Sequence, residues 1–362
     1  MLLRRAPSSL ASAISAFAAG RHRTAVGLLE AAQPPVFEPE PTASKVSPER
    51  MMAQRLSTNL TGLLSHYSGD YGKAATELAA SLQACEALGR SGMGSDSFTD
   101  LSGLLVDIAV TDIARGEIER AEGHLKRARY MAIRAYRPDP RVVIAIETAR
   151  AELALCKGEP LAALQHSLDA HAAQPGPPTP NPLQAAATAI KSSNIKSSNT
   201  AAATATAAER AVQQANAASD LRVSASAACV RVSALRQNGL GDEALQLSSQ
   251  ALEHFEANLL LTLDAAALPL LHARLLLSDA LATASVNGSR IDVRLGLEHA
   301  RLLLVAELGE QHPHCKLMEN NLRSFSGQSP LPLRDLLMLP PGLGLGDSDP
   351  FKLSWRPVGV SL

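Results

Sequence analysis

Three short motifs carry residue types that could do chemistry. Residues 312–315 (His-Pro-His-Cys) offer three metal-ligating side chains, but no second pair stands elsewhere at a spacing that would complete a tetrahedral shell. Residues 342–346 (Gly-Leu-Gly-Leu-Gly) imitate a phosphate loop, yet no predicted strand precedes them and acidic residues follow. The residues around Ser91 miss the spacing of a nucleophile elbow by one position. We therefore expect no catalytic residue, no metal and no cofactor, and we do not expect an enzyme.

The amino-acid composition predicts which secondary structure must position any site. Of the 362 residues, 46% are hydrophobic and only 3% are aromatic, and the apolar residues are mainly alanine and leucine. Helices tolerate that composition and sheets do not favour it, so we predict an all-α fold. The formal net charge of -1 removes the bulk electrostatic footprint of a dedicated nucleic-acid binder.

The cysteines and the most apolar stretch exclude two further classes of protein. Cys85, Cys156, Cys229 and Cys315 stand far apart and form no C-x-x-C pair, so we interpret them as small buried apolar residues. The stretch 257–284 is interrupted by charged residues and a proline, which would defeat a membrane-spanning helix. We expect a soluble protein with no membrane insertion.

The amino terminus has two interpretations. Residues 1–29 contain several arginines and no acidic residue before Glu30, a pattern typical of an organelle transit peptide. We expect a mitochondrial address, with a plastid as the alternative, and cleavage between Arg5 and Glu40. The same stretch also resembles two helices joined at Gly20. Both interpretations hold if cleavage falls early.

A recurring device organises the rest of the chain. A glycine ends one apolar-periodic segment, and a small residue follows five positions later. Glycine permits the left-handed conformation that terminates a helix, and the small residue lets the next helix pack closely, so each copy predicts a helical hairpin. The glycines are 42 to 49 residues apart except for one gap of 81, where a copy has been replaced. The pairs are Gly20 with Ala25, Gly69 with Ala74, Gly116 with Ala121, Gly158 with Ala163, Gly239 with Ala244 and, in degenerate form, Gly288 with Val293.

This pattern resembles tetratricopeptide repeats, in particular the long variety found in kinesin light chains. Residues 308–313 (Leu-Gly-Glu-Gln-His-Pro) match the L-G-x-x-H-P boundary between repeats of that family. The resemblance implies a right-handed solenoid of stacked antiparallel helical hairpins, whose first helices line a groove. The residues that carry the two best copies are Gly62, Gly69, Tyr71, Ala74 and Leu78, then Ala109, Gly116, Ala121, Leu125 and Ala128.

The sequence divides the chain into six parts. Proline density and a doubled Ile-Lys-Ser-Ser-Asn predict a flexible insertion, and proline and glycine dominate the tail. The parts are 1–35 (transit peptide, with a degenerate first hairpin as the alternative), 36–54 (linker), 55–172 (first repeats), 173–200 (insertion), 201–325 (second repeats) and 326–362 (tail, placed across the solenoid or on a partner).

Two surfaces are candidate binding sites. Arginines recur every seven residues from residue 120 to residue 141 and predict a basic stripe that could touch an acidic protein or RNA. The inner groove implied by the resemblance would bind a protein partner, although some of its residues could equally be core. The stripe is Arg120, Arg127, Arg134 and Arg141. The groove is Asn59, Leu63, His66, Val106, Val110, Ile113, Thr148, Leu155 and Arg236.

These observations favour a non-catalytic scaffold in an organelle. It would be an assembly factor or an accessory subunit that binds protein partners through shape and apolar contact in the groove. The alternative is an RNA-associated organelle protein that uses the basic stripe.

Overall fold

The computed structural model describes residues 6–18, 21–32, 48–90, 96–135, 139–174, 220–262, 268–328 and 340–345. These residues are helical apart from short connections and contain no strand, which confirms the all-α prediction. Most of the predicted insertion 173–200 lies outside the described residues. The helices are α1 (Ala6–Ala18), α2 (His22–Ala32), α3 (Pro48–Tyr67), α4 (Tyr71–Arg90), α5 (Asp96–Arg115), α6 (Ile118–Arg134), α7 (Pro140–Lys157), α8 (Pro160–Ala172), α9 (described over 220–237), α10 (Gly241–Thr262), α11 (Pro269–Ser285), α12 (Arg290–Leu308) and α13 (Pro313–Phe325), followed by a 3-10 turn (Leu343–Leu345).

Consecutive helices pack in pairs. The pairs α1/α2, α3/α4, α5/α6, α7/α8 and α11/α12 are each joined by a short connection and lie against one another. Buried side chains of α9 and α10 pack together in the same way. Each second helix also touches the first helix of the next pair, as α4 touches α5 and α6 touches α7. Helix α3 begins at Pro48, ahead of the predicted start at residue 55, because proline is well tolerated in the first turn of a helix.

The turns within the pairs contain the glycines of the recurring sequence pattern. Gly69, Gly116, Gly158 and Gly239 have φ between 75° and 83°, in the left-handed region that glycine adopts without a steric penalty. The turn between α11 and α12 is different, because its left-handed residue is Asn287 at φ 56°. Asparagine tolerates that conformation better than most residues, so the predicted turn residue Gly288 was wrong by one position.

The small residues after these glycines lie at the helix contacts. The alanines are each fully buried and Val293 is almost so, which brings each second helix close to its partner. These alanines are Ala25, Ala74, Ala121, Ala163 and Ala244.

The pair α3/α4 and the last described helix are in contact. A methyl group added at Gly69, in the turn between α3 and α4, would lie 2.9 Å from Cδ of Pro313 at the start of α13. The turn between α3 and α4 therefore lies against the start of α13.

Three of the four cysteines are buried, in agreement with expectation. All four cysteines are free, and Cys85, Cys229 and Cys315 are buried as predicted. Cys156 is exposed because it lies in the last turn of α7, away from the interior. Within the described parts of the chain, no helix combines the length and the apolarity needed to cross a bilayer.

Candidate functional site

The N-terminal pair α1/α2 is part of the core. Ala13, Phe17 and Ala25 are all but inaccessible to solvent and belong to the main apolar cluster. The ring of His22 stacks on that of Tyr67 with centroids 4.1 Å apart, and the Phe17 ring meets Tyr67 edge-on at 5.5 Å. The segment interpreted as a transit peptide therefore forms the helical pair that the sequence left open as the alternative.

Residues 340–345, which we call the tail segment, lie inside the molecule against this pair. The Tyr67 hydroxyl donates to the carbonyl oxygen of Pro340 at 3.0 Å. The guanidinium of Arg222 donates to the carbonyl oxygen of Pro341 at 3.2 Å. The amide of Gly342 donates to Oδ1 of Asp107 at 2.8 Å. We call Tyr67, Asp107 and Arg222 the clamp.

The clamp combines buried groups of opposite charge. Asp107 is fully buried and Arg222 is nearly so, which is tolerated because each makes hydrogen bonds. Arg222 also donates to the carbonyl oxygen of Phe17 at 3.2 Å, so the guanidinium ties the N-terminal pair to the tail segment. Burial raises the pKa of Tyr67 to about 12, and the hydroxyl therefore stays protonated and able to donate.

Steric contacts restrict the tail segment in addition to the hydrogen bonds. Gly342 has a φ of 73°, and a methyl group added there would lie 2.6 Å from Cε1 of Phe17. At the end of the 3-10 turn, Leu345 is buried in the main apolar cluster, and its amide donates to the Gly342 carbonyl oxygen at 3.2 Å. The site therefore holds a Pro-Pro-Gly backbone followed by an apolar side chain.

The structure places most of the predicted groove residues in this interior. Leu63 lies beside the tail segment, 3.6 Å from the position of a methyl group on Gly342, and Val106 immediately precedes Asp107. Leu155 and Arg236 are only partly buried. As the structure stands, the buried members contact this chain and not solvent, and their contact with a partner stays a prediction. The buried members are Asn59, Leu63, His66, Val106, Val110, Ile113 and Thr148.

Three buried histidines, which we call the histidine cluster, lie where α3 meets α13. Nδ1 of His66 is 3.1 Å from Oγ1 of Thr111, whose hydroxyl donates to the Asp107 carbonyl oxygen, so Nδ1 of His66 carries the proton. Nδ1 of His312 accepts from the His314 amide at 3.1 Å, which places the His312 proton on Nε2. Burial lowers the pKa of His66 and of His314 to about 3 and that of His312 to about 4, so all three are neutral at pH 7.

The basic stripe is divided and largely paired. Helix α6 ends at Arg134 because Pro138 and Pro140 do not allow it to continue, and Arg141 lies on α7. The prediction of one stripe of four arginines was therefore wrong, and three of them share α6. Each arginine has a partner: Arg120 pairs with Glu117 at 2.7 Å, Arg127 with Glu86, and Arg141 with Asp139 at 2.7 Å, while Arg134 lies 4.5 Å over the Tyr130 ring.

One group of side chains could hold a metal ion, among the residues that the structure describes. Glu147, His166 and Asp169 each place a ligand atom within 4.8 Å of the others. The buried carboxylate of Glu147 already accepts from Arg150 at 3.0 and 3.1 Å, and Arg129 lies 3.8 Å away. Because these cations balance its charge, we interpret the group as a structural ion-pair network. In the motif 312–315, burial raises the pKa of the Cys315 thiol to about 11, which keeps it protonated at neutral pH.

Sequence reasoning did not select the clamp. One signal was present, because Asp107 interrupts the apolar run 104–110 in the middle of a helix, where a charge needs a buried partner. Arg222 and Tyr67 carried no comparable signal. The tail segment was noted only as a Pro/Gly-rich stretch and as a poor phosphate loop. No protein-family model matches this chain, and no curated protein matches it significantly, so the site must be interpreted from its own geometry.

Proposed function

We propose that this protein is a non-catalytic scaffold that binds other proteins, with its helical pairs arranged as a right-handed, tetratricopeptide-like solenoid. In this proposal it serves an organelle, the mitochondrion in preference to a plastid, as an assembly factor or an accessory subunit of a larger complex. The observation that carries the proposal is the clamp, which holds residues 340–342 by their main chain inside a set of helical pairs. Tyrosine, arginine and aspartate at the clamp act as fixed donors and acceptors for peptide groups.

The N-terminal pair limits how the protein could be imported. A cut just before Glu40 would remove Phe17, which packs against Tyr67 and Gly342. A cut ahead of Ala6 keeps the pair whole and still removes Arg4 and Arg5. We therefore propose that the pair is retained after import, whether or not the first residues are removed.

The RNA alternative has less support. Phosphate binding needs a surface with an excess of positive charge, and along the stripe each arginine is accompanied by a carboxylate or by an aromatic ring. The scaffold therefore remains the function that we propose.

A salt series on the tagged full chain, purified from its native organelle, tests the proposal against this alternative. Binding through shape and apolar contact should retain the same proteins from about 50 to 200 mM salt, whereas four phosphate contacts would lose about 50- to 150-fold in affinity over that range. The matched control is the double variant Arg127→Glu with Arg134→Glu. Retention of the same proteins by the control supports the scaffold, and copurified RNA that the control loses would contradict it.

A further inference from the structure

We propose that the tail segment is an intramolecular ligand of the clamp, and that a partner protein carrying a Pro-Pro-Gly sequence with leucine at the third position after the glycine displaces it. This inference rests on the proposed scaffold function and names the chemical class of the partner.

The clamp recognises groups that any such segment carries. Two of the clamp's hydrogen bonds go to the carbonyl oxygens of Pro340 and Pro341, and another comes from the Gly342 amide. The two prolines bring no N–H group into the interior, so the only donor of this tripeptide is the one that Asp107 accepts. Prolines also restrict the free segment, which lowers the entropy lost when it is ordered.

Glycine is the selective position. The φ of 73° is one that other residues rarely adopt, and the Phe17 ring occupies the space that a side chain would need. Leu345 adds an apolar anchor in the main core three residues later. The preferred sequence is therefore Pro-Pro-Gly followed by an apolar residue at the third position after the glycine.

Replacement of the tail segment by a partner segment is favoured over its departure from the clamp with nothing in its place. If the tail segment left with nothing in its place, the buried Tyr67 hydroxyl would lose the carbonyl oxygen that it donates to. A second Pro-Pro-Gly segment would restore that bond, because it presents the same main-chain groups. The clamp should therefore open in exchange for a partner segment.

Covalent attachment favours binding of the chain's own tail segment over binding of an external peptide. Residues 329–339 connect α13 to the tail segment, so the chain presents its own ligand to the clamp. Short tethers give an effective concentration on the order of millimolar, which would weaken the apparent binding of an external peptide with micromolar affinity by about 100-fold or more.

The experiment measures binding of a fluorescent peptide with the sequence of residues 339–345 (Leu-Pro-Pro-Gly-Leu-Gly-Leu) to the full chain by anisotropy. Gly342→Val in the chain should release the tail segment, and Leu345→Asp is a second variant that does so by removing the apolar anchor. The matched control is Gly327→Val, at a glycine with the same φ of 73° and no neighbouring atom within 4 Å. A second peptide with valine in place of its first glycine tests the selective position.

The proposal predicts that Gly342→Val and Leu345→Asp bind the first peptide about 100-fold more tightly than the wild-type chain and the Gly327→Val control do. The valine peptide should bind none of them. Equal binding by all chains, or no binding by both released chains, would overturn the proposal. Unfolding of both released chains would also overturn it, because the tail segment would then be an indispensable part of the core. If the released chains bind no peptide but retain the same organelle proteins, this inference fails and the scaffold proposal stands.

Discussion

Helices α6 and α7 are neighbours, yet their surroundings differ. Helix α6 buries one stripe of side chains, Ala121, Leu125, Ala128 and Ala132, and its other faces reach solvent. Helix α7 buries side chains around most of its circumference, including the charged Glu147 and Glu152. In this comparison α6 follows the rule of an amphipathic surface helix, whereas α7 is buried on most of its sides. Substitutions on an exposed helix such as α6 and on an enclosed helix such as α7 should therefore change the free energy of unfolding by different amounts.

Acid should destabilise the interior more than any single substitution. Burial lowers the pKa of His22, His66 and His314 to about 3 and that of His312 to about 4, while the unfolded chain holds each near 6.5. Between these values the unfolded state binds more protons, so the free energy of unfolding is highest above pH 6.5 and falls as the pH drops toward 3. The slope is about 1.4 kcal/mol per pH unit for each histidine.

Urea unfolding at several pH values between 7 and 5 measures this dependence. The control variant is His22→Phe, which keeps a ring against Tyr67 and removes one titrating group. We expect it to reduce the slope by about 1.4 kcal/mol per pH unit. A free energy of unfolding that does not change over this range would show that these histidines are not buried.

The contact between α5 and α6 should be the next most sensitive point. Ala121 is fully buried. Replacing it by leucine would overpack the pair by about 1–3 kcal/mol, with the cost near the upper end because three carbon atoms must be accommodated. Chemical denaturation measures the change, and a loss below about 0.5 kcal/mol would mean that the helices are not closely packed there.

A matched pair of glycine substitutions compares a first helix with a second helix. A methyl group at Gly62 in α3 would lie 2.8 Å from Cγ and 3.1 Å from the backbone nitrogen of Leu78. We expect Gly62→Ala to destabilise the protein by about 1–2 kcal/mol because neither atom can move freely. Gly123 in α6 has no atom within 4 Å, so Gly123→Ala should stabilise it by about 0.5–1 kcal/mol through helix propensity.

Thermal melts of both variants provide the check. Opposite shifts in Tm, downward for Gly62→Ala and upward for Gly123→Ala, are the expected result. Shifts of the same sign would remove the distinction between the enclosed and the exposed helix.

The smallest effect should come from the basic face of α6. The pairs of Arg120 with Glu117 and of Arg127 with Glu86 lie at least partly in solvent, where ion pairs contribute little. The double variant Arg127→Glu with Arg134→Glu should therefore change the free energy of unfolding by no more than about 0.5 kcal/mol. A loss above about 2 kcal/mol in a denaturant titration would assign this face a structural role.

The turns between paired helices could be predicted from the sequence because residues close together in the chain determine them. A glycine in the left-handed region and an alanine five residues later are both set by neighbours along the chain, and they identified the turns at Gly69, Gly116, Gly158 and Gly239. The resemblance to tetratricopeptide repeats selected Ala121, Leu125 and Ala128, and these three residues lie in the buried stripe of α6.

The interior could not be predicted in the same way. Its contacts join Tyr67 to Pro340 and Arg222 to Phe17, across more than 200 residues and with no repeated pattern to reveal them. The groove residues follow from the resemblance to an open solenoid, whereas seven of the nine are buried against this chain. A charge in an apolar run, as at Asp107, was the one local sign that something polar had to be bound there.

Hydrogen exchange of the full wild-type chain tests the central claim, that the helical pairs hold the tail segment inside. Because Pro340 and Pro341 have no amide hydrogen, the first reporter in the segment is Gly342, whose amide donates to the buried Asp107, and the second is Leu345. The account predicts that both amides exchange at least about 100-fold more slowly than in the isolated peptide, because exchange requires the clamp to open. Exchange of both amides at the rate of the isolated peptide would contradict it.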